Sequence, residues 1–215
     1  MSERRGLLPT LREDLGVVVE RDPSLGSRWE ALGHTGLSAL WAHRIAHRLY
    51  RGRARWAART LARIARRRTG VEIHPGASLG RRVFIDHGAA VVIGQTAVVG
   101  DDVTIYQQVT LGAVGWWADN ARPPGARRHP VIGDRVVLGA NATVLGPVTV
   151  GEDCLIGAMA TVTDDLLPGT RVYAARSIAR PAPAPAGPHA STAHPADPAP
   201  PALDAVRLLA SAGSW

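Results

Sequence analysis

Two clusters of charged and titratable residues in the middle of the chain have the types and spacing needed for acid–base chemistry. The first is Asp86-His87, with Glu72 fifteen positions before the histidine, and the second is Arg128-His129. A histidine can take a proton from a hydroxyl group near neutral pH, and a carboxylate beside it can hold the imidazole in one tautomer. We therefore expect Glu72 to approach and orient His87, and the second cluster to lie on the same face of the fold.

A six-residue hydrophobic period organises the chain from residue 71 to about residue 165. A period of six is typical of a β-helix, in which each hexapeptide forms one flat face and three hexapeptides form a coil. Small branched residues would fill its narrow interior, which fits an aromatic content of only 5%. We predict a mainly β fold, a left-handed parallel β-helix spanning 70–178. The thirteen residues that mark the period are Ile73, Leu79, Ile85, Ile93, Val99, Ile105, Leu111, Ile132, Leu138, Val144, Val150, Ile156 and Val162.

Both chemical clusters fall where this period breaks. Asp86-His87 lies at a two-residue phase slip, and Arg128-His129 closes a longer interruption at about 113–130. Insertions in a repeat array tend to line its binding face, so we expect the interruption to project from the prism as a loop. In an eighteen-residue coil, positions about fifteen to eighteen apart lie on neighbouring coils, which places Glu72 near His87.

The regions on either side of the repeats have a different character. Residues 1–69 show helical spacing of apolar residues, and Asp22-Pro23-Ser24 predicts a helix stop and restart. Residues 179–215 are rich in alanine and proline, and eight of the sixteen prolines fall between Pro181 and Pro201. Such a composition cannot form a packed core, so we expect a disordered tail.

Composition excludes several classes of protein. No apolar run is long enough to span a bilayer, and no export signal begins the chain, so we expect a cytoplasmic protein that does not bind membranes. The single cysteine, Cys154, excludes an internal disulfide and is expected to be a small buried filler. His43 and His47 have a helical metal-ligand spacing, but no third ligand is evident, so we expect no metal.

The net charge of +7 comes largely from an arginine-rich run between residues 51 and 68. Such a run could contact nucleic-acid phosphates, or it could be the solvated face of a helix. We favour the solvated face and expect no nucleic-acid partner, because no nucleic-acid motif or array of stacking aromatic residues accompanies it.

Several motifs together resemble bacterial serine O-acetyltransferases, a family of hexapeptide-repeat acyltransferases. The similarity covers about residues 10–176, and the helical segment together with the Asp-His motif is what makes it specific. The motifs are Arg21-Asp22-Pro23, the helical run 36–47, Ile73-His74-Pro75-Gly76-Ala77, the run 80–88 containing Asp86-His87-Gly88, the run 92–97, Val109-Thr110-Leu111-Gly112, Arg128-His129-Pro130 and Val144-Leu145-Gly146.

The resemblance implies a role for each matching residue. His87 would be the general base on the serine hydroxyl, paired with Glu72, and His129 would line the same pocket. Asp22 and Asp86 would hold the substrate amino group, and Arg128 its carboxylate. The small residues facing the pantetheine arm of acetyl-CoA would be Gly112, Ala113, Ala140 and Ala158.

The resemblance also implies partners and an assembly. Acetyl-CoA would be a co-substrate, with no permanently bound cofactor, and the product would be O-acetylserine, the precursor of cysteine. The family forms trimers or dimers of trimers, with the site between adjacent prisms. Its docking to cysteine synthase uses a terminal isoleucine, whereas this chain ends in Trp215, which argues against that complex.

Two departures from the family leave other functions open. Gln95 replaces the glutamate of a Gly-Glu-Thr-Ala motif, and the Gly-Gly-Thr-Gly-Lys loop appears as Gly112-Ala113-Val114-Gly115-Trp116. The alternatives are an acetyltransferase that acts on another small alcohol or amine, and a non-catalytic trimeric scaffold.

Overall fold

The structure is a computed structural model that describes residues 6–175, so the expected tail and Trp215 lie outside the described residues. The helical region begins with α1, which ends directly before the predicted stop at Asp22. A short 3-10 helix and two longer helices follow, and α3 ends at Thr69, capped by Gly70, whose φ of 71° is left-handed. The helices are α1 (Leu7–Arg21), the 3-10 helix (Glu30–Gly33), α2 (Thr35–Arg51), α3 (Arg55–Thr69) and, later, α4 (Trp116–Asp119).

Fourteen short strands after α3 form three parallel sheets. The first sheet has the order β1-β4-β7-β10-β13, the second β2-β5-β8-β11, and the third β3-β6-β9-β12-β14. The predicted left-handed parallel β-helix with an α-helical N-terminal region is thus confirmed. The strands are β1 (Glu72–Ile73), β2 (Ser78–Leu79), β3 (Phe84–Ile85), β4 (Val92–Ile93), β5 (Val98–Val99), β6 (Thr104–Ile105), β7 (Thr110–Gly112), β8 (Val131–Ile132), β9 (Val137–Leu138), β10 (Thr143–Leu145), β11 (Thr149–Val150), β12 (Leu155–Ile156), β13 (Thr161–Val162) and β14 (Arg171–Val172).

Strand register gives the length of each coil. A regular coil has 18 residues, as in the pairing of Val92 with Thr110. The first coil has 20, because Glu72 pairs with Val92, so two extra residues lie in the turn between β3 and β4. Val98 pairs with Val131, 33 residues later, so the insertion between β7 and β8 adds 15.

The interior of the prism is a stack of branched side chains, and most of the residues that mark the period are buried there. The corners repeat as regularly as the interior, because residues with left-handed φ stack above one another in successive coils. Polar and small residues tolerate this conformation better than β-branched ones. One column joins the second sheet to the third and contains Arg82, Asp102, Arg135 and Asp153, and another joins the third sheet to the first and contains Ala90, Gln108, Asn141 and Met159.

The helices and the prism form one compact unit. The buried Arg44 of α2 pairs with Asp14 of α1 at 3.1 Å and donates to the carbonyl oxygens of Leu79 and Gly80, both at 2.7 Å. Gly36 lets α2 approach β3 closely, because a Cβ at this position would lie 2.0 Å from the carbonyl oxygen of Ile85. The N-terminal helices are therefore fixed against the coil that carries Asp86-His87. No described helix is both long and apolar enough to cross a membrane.

Candidate active site

His87 lies on the two-residue insertion between β3 and β4, a turn at 86–91 that we call the His87 corner. His87 and Gly88 both have left-handed φ, 57° and 72°, and the bulge directs the imidazole outward, where 69% of the side chain is exposed. The imidazole Nε2 is 3.8 Å from Asp86 Oδ2. Thr35 at the start of α2 donates to the His87 carbonyl oxygen at 3.2 Å. Helix α2 thereby fixes the backbone that presents this candidate base.

Asp22 and His34 join Asp86-His87 from the helical region. Asp22 Oδ2 is 3.9 Å from His34 Nε2, and hydrogen bonds from Ser24 lower the pKa of the Asp22 carboxyl. Burial lowers the pKa of His34, against the opposing influence of Asp22 and Asp86. Two carboxylates, those of Asp22 and Asp86, therefore lie near His87 and suit a cationic amino group.

His34 was not singled out from the sequence. Its Nδ1 accepts a hydrogen bond from the backbone N–H of Leu37, so it caps α2. The available signal was its position directly before the helical stripe that begins near Leu37, where a polar capping residue is expected.

Glu72 is placed differently from our expectation. Its carboxylate is 2.9 Å from Arg66 Nη1 of α3, and none of the described interactions joins it to His87. Both side chains of this ion pair are substantially exposed, 64% for Arg66 and 43% for Glu72. Exposed pairs contribute little to stability, so this contact does not fix Glu72 in place. Its role as the partner of His87 stays a prediction.

Arg128 and His129 lie at a different corner, where the first sheet leads into the second. We call it the Arg128 corner and define it as residues 94–96 together with the loop 113–130. Thr96 Oγ1 accepts from the backbone N–H groups of both residues, at 2.9 Å and 3.1 Å. His129 is buried with its ring against Gly94, where a Cβ would lie 1.9 Å from Cδ2.

His129 is a neutral imidazole in a defined orientation. Burial, followed by the neighbouring charge of Arg128, lowers the pKa of His129. Its Nδ1 accepts from the backbone N–H of Thr96 at 3.3 Å and is 2.9 Å from Thr96 Oγ1. This contact pattern assigns the proton to Nε2. His129 can therefore donate a hydrogen bond but is a poor acid.

The expectation that both clusters share one face is wrong for a single chain. The His87 corner joins the third sheet to the first, whereas the Arg128 corner joins the first sheet to the second. The first sheet lies between the two corners. The residues expected to face acetyl-CoA divide in the same way. Gly112 ends β7 and Ala113 begins the loop of the Arg128 corner, whereas Ala140 and Ala158 lie in turns that join the third sheet to the first, as the His87 corner does.

No group of three histidine, cysteine, aspartate or glutamate side chains within residues 6–175 is arranged to hold a metal ion. His43 is instead a buried residue of the helix–prism interface, and burial lowers its pKa to about 3.

These features place the chain in a known class. A family model described as bacterial transferase hexapeptide (six repeats) matches residues 129–164. The chain is thus a hexapeptide-repeat transferase. A serine acetyltransferase from Mycobacterium tuberculosis is 46% identical over 185 residues, covering 85% of this chain and 78% of the relative. One from Helicobacter pylori is 47% identical over 161 residues, covering 74% and 90%. The chain belongs to the serine acetyltransferase family.

Solved structures agree with this placement. Serine acetyltransferase isoform 3 of Entamoeba histolytica, in complex with cysteine, has a TM-score of 0.74 and 34% identity. The match covers 82% of this chain, which spans 61% of that longer protein. The Neisseria gonorrhoeae serine acetyltransferase in complex with serine has a TM-score of 0.71 and 36% identity, covering 79% of this chain and 67% of that one.

Proposed function

We propose that this protein transfers the acetyl group of acetyl-CoA to the hydroxyl group of L-serine, with acetyl-CoA as a co-substrate and no permanently bound cofactor. The observation that carries the proposal is the exposed His87 imidazole, set beside Asp86 on the one coil that is two residues longer than the regular repeat. Membership of the serine acetyltransferase family supports serine as the acceptor.

The reaction is a direct displacement on the thioester. His87 removes the proton from the serine hydroxyl as its oxygen bonds to the acetyl carbonyl carbon. The carbon–sulfur bond then breaks, and the protonated imidazole returns the proton to the departing CoA thiolate. Asp86 and Asp22 hold the ammonium group, and Arg128 holds the carboxylate. Buried His129 contributes a neutral N–H donor to the same pocket, and Glu72 orients the base.

We propose that the site closes between neighbouring chains of a homotrimer. A threefold ring repeats one heterologous contact, so the His87 corner of each chain can meet the Arg128 corner of the next. A single contact of this kind unites the two halves of the serine pocket and also the two halves of the acetyl-CoA groove.

The function is tested by measuring CoA release from acetyl-CoA with a panel of acceptors. We expect L-serine to be the best acceptor and His87→Ala to lose nearly all turnover. If L-serine gives CoA release no faster than buffer does, serine acetylation is rejected. The protein would then act on another acceptor or serve as a non-catalytic scaffold. Calorimetry separates those two, since a scaffold would not bind acetyl-CoA.

The shared site is tested by mixing two inactive variants, His87→Ala and Arg128→Ala, through co-expression. A junction is intact when the chain that supplies the His87 corner carries Arg128→Ala and the next chain carries His87→Ala. Random mixing makes one junction in four intact, so about a quarter of wild-type activity should return. Each variant expressed alone is the control. A mixture as inactive as its parents would contradict a site built between chains.

A further inference from the structure

The inserted loop brings a buried carboxylate to the Arg128 corner. Helix α4 ends at Asp119, whose side chain is only 8% exposed. Asp119 Oδ2 is 3.9 Å from Arg128 Nη1, and Asp119 Oδ1 is 3.7 Å from Arg122 Nε. At these distances the carboxylate attracts both guanidinium groups without accepting a hydrogen bond from either. It therefore acts through its charge.

Arg128 is held on its other side by a neutral group. Its Nη2 donates to Gln95 Oε1 at 3.0 Å, and Gln95 Nε2 is 3.2 Å from the Tyr50 hydroxyl. These two contacts fix which end of the amide faces Arg128, since only the oxygen can accept from a guanidinium. Because Gln95 is uncharged, Asp119 is the one acidic partner in the described ion pairs of Arg128.

We infer that Asp119 is a positioning residue for Arg128 and that it sets the enzyme's demand for an acceptor with a free carboxylate. The inference rests on the proposed function. Gln95 and Asp119 hold the guanidinium from two sides. At 3.9 Å the Asp119 contact does not use the Nη1 hydrogens, and no other described residue accepts from them, so they can meet a substrate carboxylate. A cavity of about 360 Å³ opens beside them, lined by Gln95, Thr96, Asn120 and the loop up to Arg128.

Removing the negative charge of Asp119 should therefore let the Arg128 guanidinium move and leave the chemical step intact. In Asp119→Asn we expect the KM for L-serine to rise about tenfold, since a displaced guanidinium binds the carboxylate less well. The kcat and the KM for acetyl-CoA should stay within about twofold. Asp164→Asn is the matched control, because it removes one carboxylate from the same side of the prism two coils away.

L-serine methyl ester supplies a readout that general damage would not move. It lacks the carboxylate, so its kcat/KM does not depend on Arg128. The wild type should have a higher kcat/KM for serine than for the ester. In Asp119→Asn the ratio of these two values should fall about tenfold, because only the kcat/KM for serine decreases. Asp119→Glu keeps the charge and should retain most of the preference.

The outcomes separate this inference from the proposed function. If the wild type releases no CoA with serine, the proposed function fails. If the wild type is active and Asp119→Asn has an unchanged serine preference, the inference is overturned. Equal loss of preference in Asp119→Asn and Asp119→Glu would also overturn it, since packing rather than charge would then be the cause.

Discussion

Gly94 is the position where the addition of one methyl group should disable this protein. It lies at the Arg128 corner and its φ is not left-handed, so no left-handed strain opposes alanine there. The obstacle is His129, because a Cβ on residue 94 would lie 1.9 Å from Cδ2 and 2.0 Å from Nε2 of the imidazole. Gly94→Ala therefore forces the ring to move while it changes no group that takes part in the chemistry.

The size of the effect follows from these distances. Carbon atoms pack at about 3.5 Å, so the ring must retreat by roughly 1.5 Å. Thr96 holds Nδ1 through contacts of 2.9 Å and 3.3 Å, and a shift of this size breaks them. Misplacing a site group by about 1 Å can cost a hundredfold in rate, or about 2.7 kcal/mol. Overpacking should also reduce the free energy of unfolding by about 1–3 kcal/mol.

The assay is kcat/KM for serine in Gly94→Ala, His129→Ala and Gly16→Ala, with urea unfolding of each. Gly16 is the matched control because a Cβ there meets nothing within 4 Å. We expect Gly94→Ala to approach His129→Ala in activity and Gly16→Ala to match the wild type. If His129→Ala is inactive and Gly94→Ala keeps more than half of the wild-type rate, the steric reasoning is refuted. If His129→Ala is itself fully active, the role of His129 is refuted instead.

Four further predictions concern stability and the base. Asp14→Ala leaves buried Arg44 uncompensated, so urea unfolding should show a loss of about 3–5 kcal/mol, and a loss under about 1 would contradict this. Buried His43 has a pKa of about 3, so between pH 6.5 and about 3 this residue is protonated in the unfolded chain and neutral in the folded one. As the pH falls below 6.5, the free energy of unfolding of the wild type should therefore fall by up to about 1.4 kcal/mol per pH unit more than that of His43→Leu. Equal pH slopes for the two proteins would contradict this. Arg66→Met should change the free energy of unfolding by less than about 1 kcal/mol, because its pair with Glu72 is exposed. Glu72→Gln should instead lower kcat about tenfold or more, and an unchanged kcat would remove Glu72 from the mechanism.

The sequence predicted the architecture well because a β-helix is encoded locally. Each hexapeptide carries its own inward-pointing residue, and the coil length follows from the period alone. The separation of the two corners could also be predicted from the sequence. Counting the period in threes assigns Ile85 to the third sheet and Ile93 to the first, which puts His87 between them. The same count assigns Leu111 to the first sheet and Ile132 to the second, which puts Arg128 at the other corner.

The parts that the sequence did not predict depend on tertiary choices. Glu72 has a competing cation, Arg66, only because α3 packs beside β1. Asp119 reaches Arg128 because the loop folds back onto the corner, and no period constrains a loop. The contact between Gln95 and Tyr50 joins α2 to the prism across 45 residues of sequence. Each of these contacts joins segments whose relative placement no local pattern encodes.

The regularity of the prism explains why its candidate site residues lie at the irregular points. A repeating coil gives the corners of each column the same backbone conformation, so a regular array offers no unique position for a base. The two extra residues at the His87 corner and the fifteen at the Arg128 corner break that equivalence. Both corners border the first sheet, so in the proposed trimer every chain would present two half-sites at opposite edges of that sheet. We therefore expect catalysis to require a second chain, and dilution below the assembly threshold to abolish turnover without unfolding the prism.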